Sequence, residues 1–210
     1  MNQRRLPDRI HPDWAAAGRS WSARFCRAIL HLIGWRLIMD IPGVRKVVIV
    51  FYPHTSNWDF VIGLLARLGL GIPVTWAGKD NLFRWPLAGL WIRLGGIPVN
   101  RREHTGLVAQ MTEEFSRRKV MMLAITPEGT RRRTGYWKSG AYRIALAARV
   151  PLGLAFIDFK TREVGIGGLL DPSGDVAADF AALRTFYAGK TARHPDQASP
   201  IALKPDAAGR

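Results

Sequence analysis

Short apolar runs alternate with longer helical segments along most of this chain of 210 residues. The runs are rich in β-branched and aromatic residues, as buried strands are. They predict strands over 47–52, 74–77, 97–99, 120–126, 152–159 and 163–167, and helices over 58–68, 85–94, 104–118, 139–149 and 176–187. Strands that alternate with helices predict an α/β layered sandwich, in which helices flank a mostly parallel central sheet.

Both ends of the chain depart from this alternation. Residues 1–19 are polar, and residues 20–39 predict an N-terminal amphipathic helix that Pro42-Gly43 ends. This helix either packs on the domain core or lies in a membrane interface, with aromatic side chains in the acyl region and arginines at the headgroups. Residues 189–210 are polar and contain three prolines, which predicts a flexible tail. We therefore expect three parts: 1–43, a main domain over 44–188, and 189–210.

Charge narrows the classes of partner. The chain has 31 lysine and arginine residues against 16 acidic residues, a net charge of +15. Such an excess favours a polyanionic partner, which could be an anionic membrane surface, an acidic protein or nucleic acid. Nucleic acid is the weakest of the three, because the basic residues are spread along the chain without a recognised nucleic-acid-binding motif.

Cysteine and histidine usage bears on the compartment and on metal binding. The single cysteine, Cys26, excludes an internal disulfide and suits a reducing cytoplasm.

No uncharged apolar stretch approaches the roughly 20 residues of a spanning helix, and no cleavable signal is found. We therefore expect a cytoplasmic protein that is soluble or peripheral on the cytoplasmic membrane. The five histidines are scattered, which predicts no metal site.

His54 and Asp59 form the first candidate site. His54 follows the predicted strand 47–52, and Asp59 begins the next helix. At a strand end of this kind, a histidine can act as a general base while a carboxylate orients its ring. A second interpretation needs no chemistry, because Ser56 and Asp59 also form the S-x-x-D pattern of a helix capping box. The spacing alone does not separate the two.

Three further blocks lie next to predicted strands. The glycine pair 95–96 opens a short apolar strand that leads to Arg101. Pro127-Glu128-Gly129-Thr130-Arg131 follows the strand 120–126, where the proline stops the strand, the glycine permits a tight turn and the arginines can bind phosphate. Val150-Pro151 precedes the strand 152–159. Each block by itself is also compatible with a surface loop or a simple helix end.

In this order and at these separations, the four blocks resemble the lysophospholipid acyltransferase family, which includes the 1-acylglycerol-3-phosphate and glycerol-3-phosphate acyltransferases. The resemblance covers roughly residues 44–159. The family's histidine and aspartate match His54 and Asp59, and its Pro-Glu-Gly-Thr-Arg block matches residues 127–131 without a gap. Pro53, Asn100 and Thr126 stand where the family usually has asparagine, aspartate and phenylalanine.

The resemblance implies an enzyme of phospholipid biosynthesis that moves a fatty acyl group from an acyl thioester, of coenzyme A or of acidic acyl carrier protein, to the hydroxyl of a lysophospholipid. The expected acceptor is 1-acylglycerol-3-phosphate, with another lysolipid, such as a lyso-ornithine lipid, as the alternative. It implies no bound cofactor, association with an anionic membrane surface, His54 as base and Asp59 as its partner. It also implies an acceptor site made of Lys79, Arg101, Glu128, Gly129, Thr130 and Arg131. From a different class, a basic nucleic-acid-binding or lipid-binding protein stays open.

Overall fold

In the residues that the computed structural model describes, 18–41, 43–79, 83, 86–99 and 104–204, seven strands form one mixed sheet. The strands are β1 (Arg36–Met39), β2 (Lys46–Tyr52), β3 (Val74–Lys79), β4 (Gly96–Val99), β5 (Met121–Ile125), β6 (Leu152–Asp158) and β7 (Glu163–Leu170). Their order across the sheet is β1-β7-β6-β2-β5-β3-β4. Only β6 and β7 pair antiparallel among these neighbours. The predicted α/β fold with a mostly parallel sheet is confirmed.

Helices cover both faces of this sheet. Within the described ranges they are α1 (Trp21–Leu32), α2 (Asn57–Leu70), α3 (Ala88–Arg93), α4 (His104–Arg117), α5 (Gly140–Ala148) and α6 (Val176–Tyr187). Buried side chains of α1 and α2 pack on one face of the sheet, and those of α4, α5 and α6 pack on the other. No helix in the described part of the chain combines the length and the apolar character needed to cross a bilayer.

The packing of the central strand β2 explains why its sequence is apolar after Lys46. Val48, Val50 and Tyr52 pack with α4, α5 and α6, whereas Val47 and Ile49 belong to the core on the opposite face. Successive side chains of a strand point to opposite faces, so a strand covered on both sides has no solvent-facing positions. This burial holds the carboxyl end of β2, and the loop that follows it, in a fixed place.

The N-terminal helix is shorter than its sequence pattern predicts. The prediction of one helix over residues 20–39 is wrong at its end, because α1 stops at Leu32 and residues 36–39 form the edge strand β1. Gly34 adopts φ 78°, a left-handed conformation that turns the chain out of the helix and into the strand. Strand β1 then pairs with β7, more than a hundred residues away in sequence.

The C-terminal residues are also more ordered than predicted. The expectation of a flexible tail over 189–210 is wrong for residues 189–204, and residues 205–210 lie outside the described residues. Pro195–Gln197 form a 3-10 helix, and the backbone N–H of Trp137 donates to the carbonyl of Ala202 at 2.7 Å. We name residues 194–203 the C-terminal strap, because they lie across the loops that follow β2 and β5.

Candidate active site

The candidate site lies at the edge of the sheet where the parallel strands end. Strands β2 and β5 are neighbours in the sheet and run in the same direction, ending at Tyr52 and Ile125. The loop with His54 and the loop with Glu128 therefore emerge side by side. This is the place where open α/β sheets put their functional groups, and it brings together two blocks that are about 70 residues apart in sequence.

His54 and Asp59 are in contact. The Nδ1 atom of His54 lies 3.4 Å from Oδ2 of Asp59, whose side chain is fully buried at the first turn of α2. The same Oδ2 accepts the backbone N–H groups of Thr55 at 2.6 Å and Ser56 at 2.7 Å. The Ser56 hydroxyl in turn accepts the N–H of Trp58 and that of Asp59, and the bond from Asp59 completes a capping box. The helix-cap interpretation and the interpretation of a base with its orienting carboxylate thus describe one arrangement, in which the cap holds the carboxylate beside the imidazole.

The pair is close to a hydrogen bond without making one. Within the described residues, neither His54 Nδ1 nor Asp59 Oδ1 has a hydrogen-bond partner, although both atoms are buried. A small rotation of the ring would convert the 3.4 Å contact into an Nδ1–H···Oδ2 bond. That bond would fix the tautomer in which Nε2 carries the lone pair, as a general base requires.

The carboxylate of Glu128 is hydrogen-bonded to the backbone of the His54 loop. Its side chain is buried, with only 1% of the residue exposed. One carboxylate oxygen accepts the backbone N–H of His54 at 2.7 Å, and the other accepts the N–H of Ser199 at 2.9 Å. Burial raises the pKa of Glu128 above its ordinary value, and the N–H donors of Ser199 and His54 oppose that rise. Both oxygens are therefore occupied by main-chain donors.

The turn after Glu128 presents its next residues to the site. Gly129 has φ 65°, and a Cβ there would lie 2.8 Å from Cε of Lys138, so the turn accepts glycine alone without strain. Thr130 and Arg131 follow with exposed side chains. With His54 and Gly129 they line the same cavity, so the structure brings together most of the residues that the sequence assigned to the site.

Two predicted site residues, Lys79 and Arg101, have side chains outside the part of the chain that the structure describes. Arg101 lies outside the described residues. Lys79 is the last residue of β3, where its backbone pairs in register with Val99 of the parallel strand β4. The end of β3 therefore lies at the same edge of the sheet as the His54 loop, while the side chain of Lys79 is not described. Their roles in acceptor binding stay predictions.

An apolar cavity of about 670 Å³ begins at these residues and runs between α2 and the sheet. It passes Phe60 and Leu64 and reaches Leu70 and Val74, towards the opposite edge of the sheet. The lining also includes residues of β2, β5, β6 and β7. No local sequence pattern indicates this cavity, since its walls come from segments scattered over more than a hundred residues and each segment resembles ordinary core.

One charged group lies towards the far part of the cavity. Arg67, on the third turn of α2, donates from Nε to the carbonyl of Val74 at 2.6 Å, and burial lowers the pKa of its guanidinium. The helix rises about 1.5 Å per residue, so Arg67 is about 12 Å along the axis from Asp59. An elongated ligand that entered the cavity beside His54 would contact apolar side chains first. It would reach the guanidinium of Arg67 only in the far part of the cavity.

Comparison with known proteins adds an independent observation. Residues 39–153, more than half of the chain, match the sequence model of the Acyltransferase family. Among solved structures, the chain is similar to the crystal structure of PlsC from Thermotoga maritima, a 1-acyl-sn-glycerophosphate acyltransferase, with a TM-score of 0.53 and 18% sequence identity. The match covers 81% of this chain and 79% of that one, a likeness of fold across most of both. Among curated protein sequences, none is significantly similar to this chain.

Proposed function

The chain belongs to the Acyltransferase family, and we propose that it transfers a fatty acyl group from an acyl thioester to the free hydroxyl of 1-acylglycerol-3-phosphate. The family match confirms the resemblance drawn from the four sequence blocks, and the protein is an acyltransferase. The observation that carries the finer proposal is the His54–Asp59 pair at the mouth of a long apolar cavity. A base beside an apolar cavity suits a reaction in which one reactant carries a hydroxyl group and the other carries a fatty acyl chain.

In the proposed reaction, His54 takes the proton from the acceptor hydroxyl as its oxygen attacks the thioester carbonyl. The new ester bond forms, the carbon–sulfur bond breaks, and the leaving thiolate takes the proton from the His54 imidazolium, which restores the base. Asp59 stabilises the imidazolium that forms in between. No covalent enzyme intermediate is needed because the thioester is already activated. The only cysteine, Cys26, is buried in α1, where burial raises the pKa of its thiol, and it is a poor candidate nucleophile.

The two ends of the cavity suit the two parts of the substrates. The apolar wall between α2 and the sheet would hold the acyl chain, and its volume is in the range of sites that enclose a ligand of this size. The exposed Arg131 at the mouth would meet the phosphate of the acceptor, because guanidinium binds phosphate with two parallel hydrogen bonds. Lys79 and Arg101 would add positive charge to the same acceptor site.

A panel of acceptors tests the proposal. The purified protein is given a labelled palmitoyl thioester, of coenzyme A or of acyl carrier protein, with 1-acylglycerol-3-phosphate, glycerol-3-phosphate, a lyso-ornithine lipid or 1-acylglycerol. We expect product with 1-acylglycerol-3-phosphate, and less with 1-acylglycerol, which lacks the phosphate. A preference for the lyso-ornithine lipid would replace the acceptor but keep the reaction. Folded protein that acylates none of them would contradict the proposal.

We further propose that the protein binds the cytoplasmic face of an anionic membrane through α1 and the start of α2. Helix α1 has two apolar faces: Ala23, Cys26 and Leu30 are buried against the domain, while Trp21, Phe25 and Leu32 are exposed on the other side. Trp58 of α2 is exposed as well. Aromatic side chains of this kind favour the membrane interface, and the net charge of +15 attracts anionic headgroups.

Substitutions on the two faces of α1 should change different properties, vesicle binding on the exposed face and stability on the buried face. Replacing Trp21 and Phe25 together by serine is expected to weaken binding to vesicles with phosphatidylglycerol about tenfold or more, because the apolar area that enters the interface is lost, with little change in the free energy of unfolding. Leu30→Ala removes a fully buried side chain and should lower the free energy of unfolding by about 2–5 kcal/mol. Vesicle co-sedimentation and denaturant unfolding measure the two quantities. Undiminished vesicle binding by the double serine variant would rule out this face of α1.

A further inference from the structure

The carboxylate of Glu128 links two main-chain segments. Its two oxygens accept the N–H of His54 at 2.7 Å and the N–H of Ser199 at 2.9 Å. Glu128 does not line the cavity, whereas Gly129, Thr130 and Arg131 do. A residue that binds the acceptor would direct its carboxylate to the cavity, but this one is directed to the backbone of the His54 loop. The contacts of Glu128 thus differ from the acceptor-binding role that the sequence resemblance implied.

The C-terminal strap makes further hydrogen bonds to both loops of the site. The hydroxyl of Tyr52, at the end of β2, donates to the carbonyl of Ser199 at 3.0 Å, and the N–H of His194 donates to Oγ1 of Thr55 at 3.2 Å. On the other loop, the N–H of Thr134 donates to Oγ of Ser199 at 3.0 Å. These bonds hold the strap against the residues before and after His54, and against the loop that follows Glu128.

The side chain of Gln197 adds a bridge between the two loops. In the amide orientation that satisfies its surroundings, its nitrogen donates to the carbonyl of Arg131 at 2.8 Å and to that of Thr55 at 3.2 Å. The strap lies beyond residue 153, where the match to the family's sequence model ends. The strap, which supports the site, is therefore outside the region of this chain that matches the family model.

We propose that the C-terminal strap positions His54 through the relay Ser199–Glu128–His54, and that Glu128 is a positioning residue. The proposal rests on the proposed function, in which His54 is the base. A carboxylate is required at this place because both of its partners are N–H donors. It can accept from both, whereas an amide must direct its own NH₂ group at one of them. Loss of either bond would leave a buried donor unsatisfied and allow the His54 loop to shift.

Glu128→Gln keeps the size of the side chain and tests the carboxylate. We expect kcat to fall about 10- to 10²-fold, because a shift of about 1 Å in a catalytic group has effects of this size. The KM for the acceptor should stay within about twofold, since the residue does not contact it. Glu113→Gln makes the same chemical change on the exposed surface of α4 and is the matched control. A rise in acceptor KM with kcat unchanged would instead assign Glu128 to substrate binding.

Two substitutions at Ser199 test the strap itself. Ser199→Pro removes the N–H that Glu128 accepts, whereas Ser199→Ala keeps this N–H and loses the hydroxyl, which also interacts with Glu128 and accepts the N–H of Thr134. We expect the proline variant to lose kcat to about the same extent as Glu128→Gln, and the alanine variant to lose less, because the main-chain bond to Glu128 remains. Because both changes break one relay, the double variant Glu128→Gln/Ser199→Pro should be no slower than either single variant. Multiplicative losses, or full activity in the proline variant, would overturn the proposal.

A readout without substrate separates this proposal from the proposed function. Long-range ¹H–¹⁵N spectra report the tautomer and the environment of each histidine ring. Ser199 bonds to Glu128 and not to His54, yet Ser199→Pro should shift the His54 ring signals, and Ser199→Ala should shift them little. Denaturant unfolding of each variant identifies any that fails to fold. Unchanged His54 signals in folded Ser199→Pro would refute the relay, whether or not the wild type acylates any acceptor in the panel.

Discussion

Alanine in place of His54 is expected to lower kcat for acyl transfer by about 10²- to 10⁴-fold, the contribution of a positioned general base. The substitution removes the only imidazole beside the cavity among the described lining residues. The imidazole should not contribute much to substrate affinity, so the KM values for donor and acceptor should change far less than kcat. Initial rates with a labelled acyl thioester and 1-acylglycerol-3-phosphate measure both parameters.

His31→Ala is the matched control for this experiment. His31 is an exposed histidine near the end of α1, and its loss removes one imidazole without touching the cavity. It should retain the wild-type kcat, and the melting curves of both variants should show folded protein. If His54→Ala forms product as fast as the wild type, His54 is not the base and the mechanism proposed here is wrong.

Much of the fold can be predicted from local sequence patterns, because each central strand is a short apolar run that can be recognised without its partners. Strand β2 is a continuous apolar run after Lys46 and is covered on both faces; β5 is apolar throughout, and β6 is apolar until Asp158. The helices between them have amphipathic or apolar faces of helical period. Since parallel strands need crossover helices, the alternation predicts the sheet and also predicts that the loops after β2 and β5 meet at one edge.

The elements that the sequence missed depend on distant partners. Strand β1 has only four residues, and it is stabilised by pairing with β7 after Gly34 ends the helix. The C-terminal strap is polar and contains prolines, as unstructured tails do. It is ordered by hydrogen bonds to Glu128, Tyr52 and Thr55, which are more than 70 residues earlier in the chain. No window of local sequence contains these partners.

The sequence predicted which motif residues meet at the candidate site, but it did not predict the contacts that support them. The motif residues His54, Asp59 and the 127–131 turn meet where strand ends predict that they should. Two features lay beyond the motifs: the cavity, whose walls come from five strands and α2, and the occupation of both Glu128 oxygens by the main chain. Motifs identify which residue types a reaction needs, whereas the contacts behind them decide which residues touch the substrate.

Asparagine in place of Asp59 separates the two interpretations that the sequence left open. Asp59 Oδ2 accepts both capping N–H groups, while Oδ1 has no hydrogen-bond partner within the described residues. An asparagine can therefore place its oxygen at the Oδ2 position, keep the cap and lose only the negative charge. We expect the free energy of unfolding to stay within about 1 kcal/mol of the wild type. We expect kcat to fall roughly 10²- to 10⁴-fold, because the imidazolium loses its counter-charge.

Asp59→Ala completes the comparison by removing the cap as well as the charge. It leaves the N–H groups of Thr55 and Ser56 without an acceptor, at a cost of about 1–3 kcal/mol for each buried donor. Its kcat should be no higher than that of Asp59→Asn, and its stability should be clearly lower in denaturant unfolding. If Asp59 acts as the carboxylate partner of His54, the two variants should share the catalytic defect and differ in stability. If Asp59→Asn retained the wild-type kcat while Asp59→Ala merely unfolded more easily, Asp59 would be a helix cap alone, and His54 would act without a carboxylate partner.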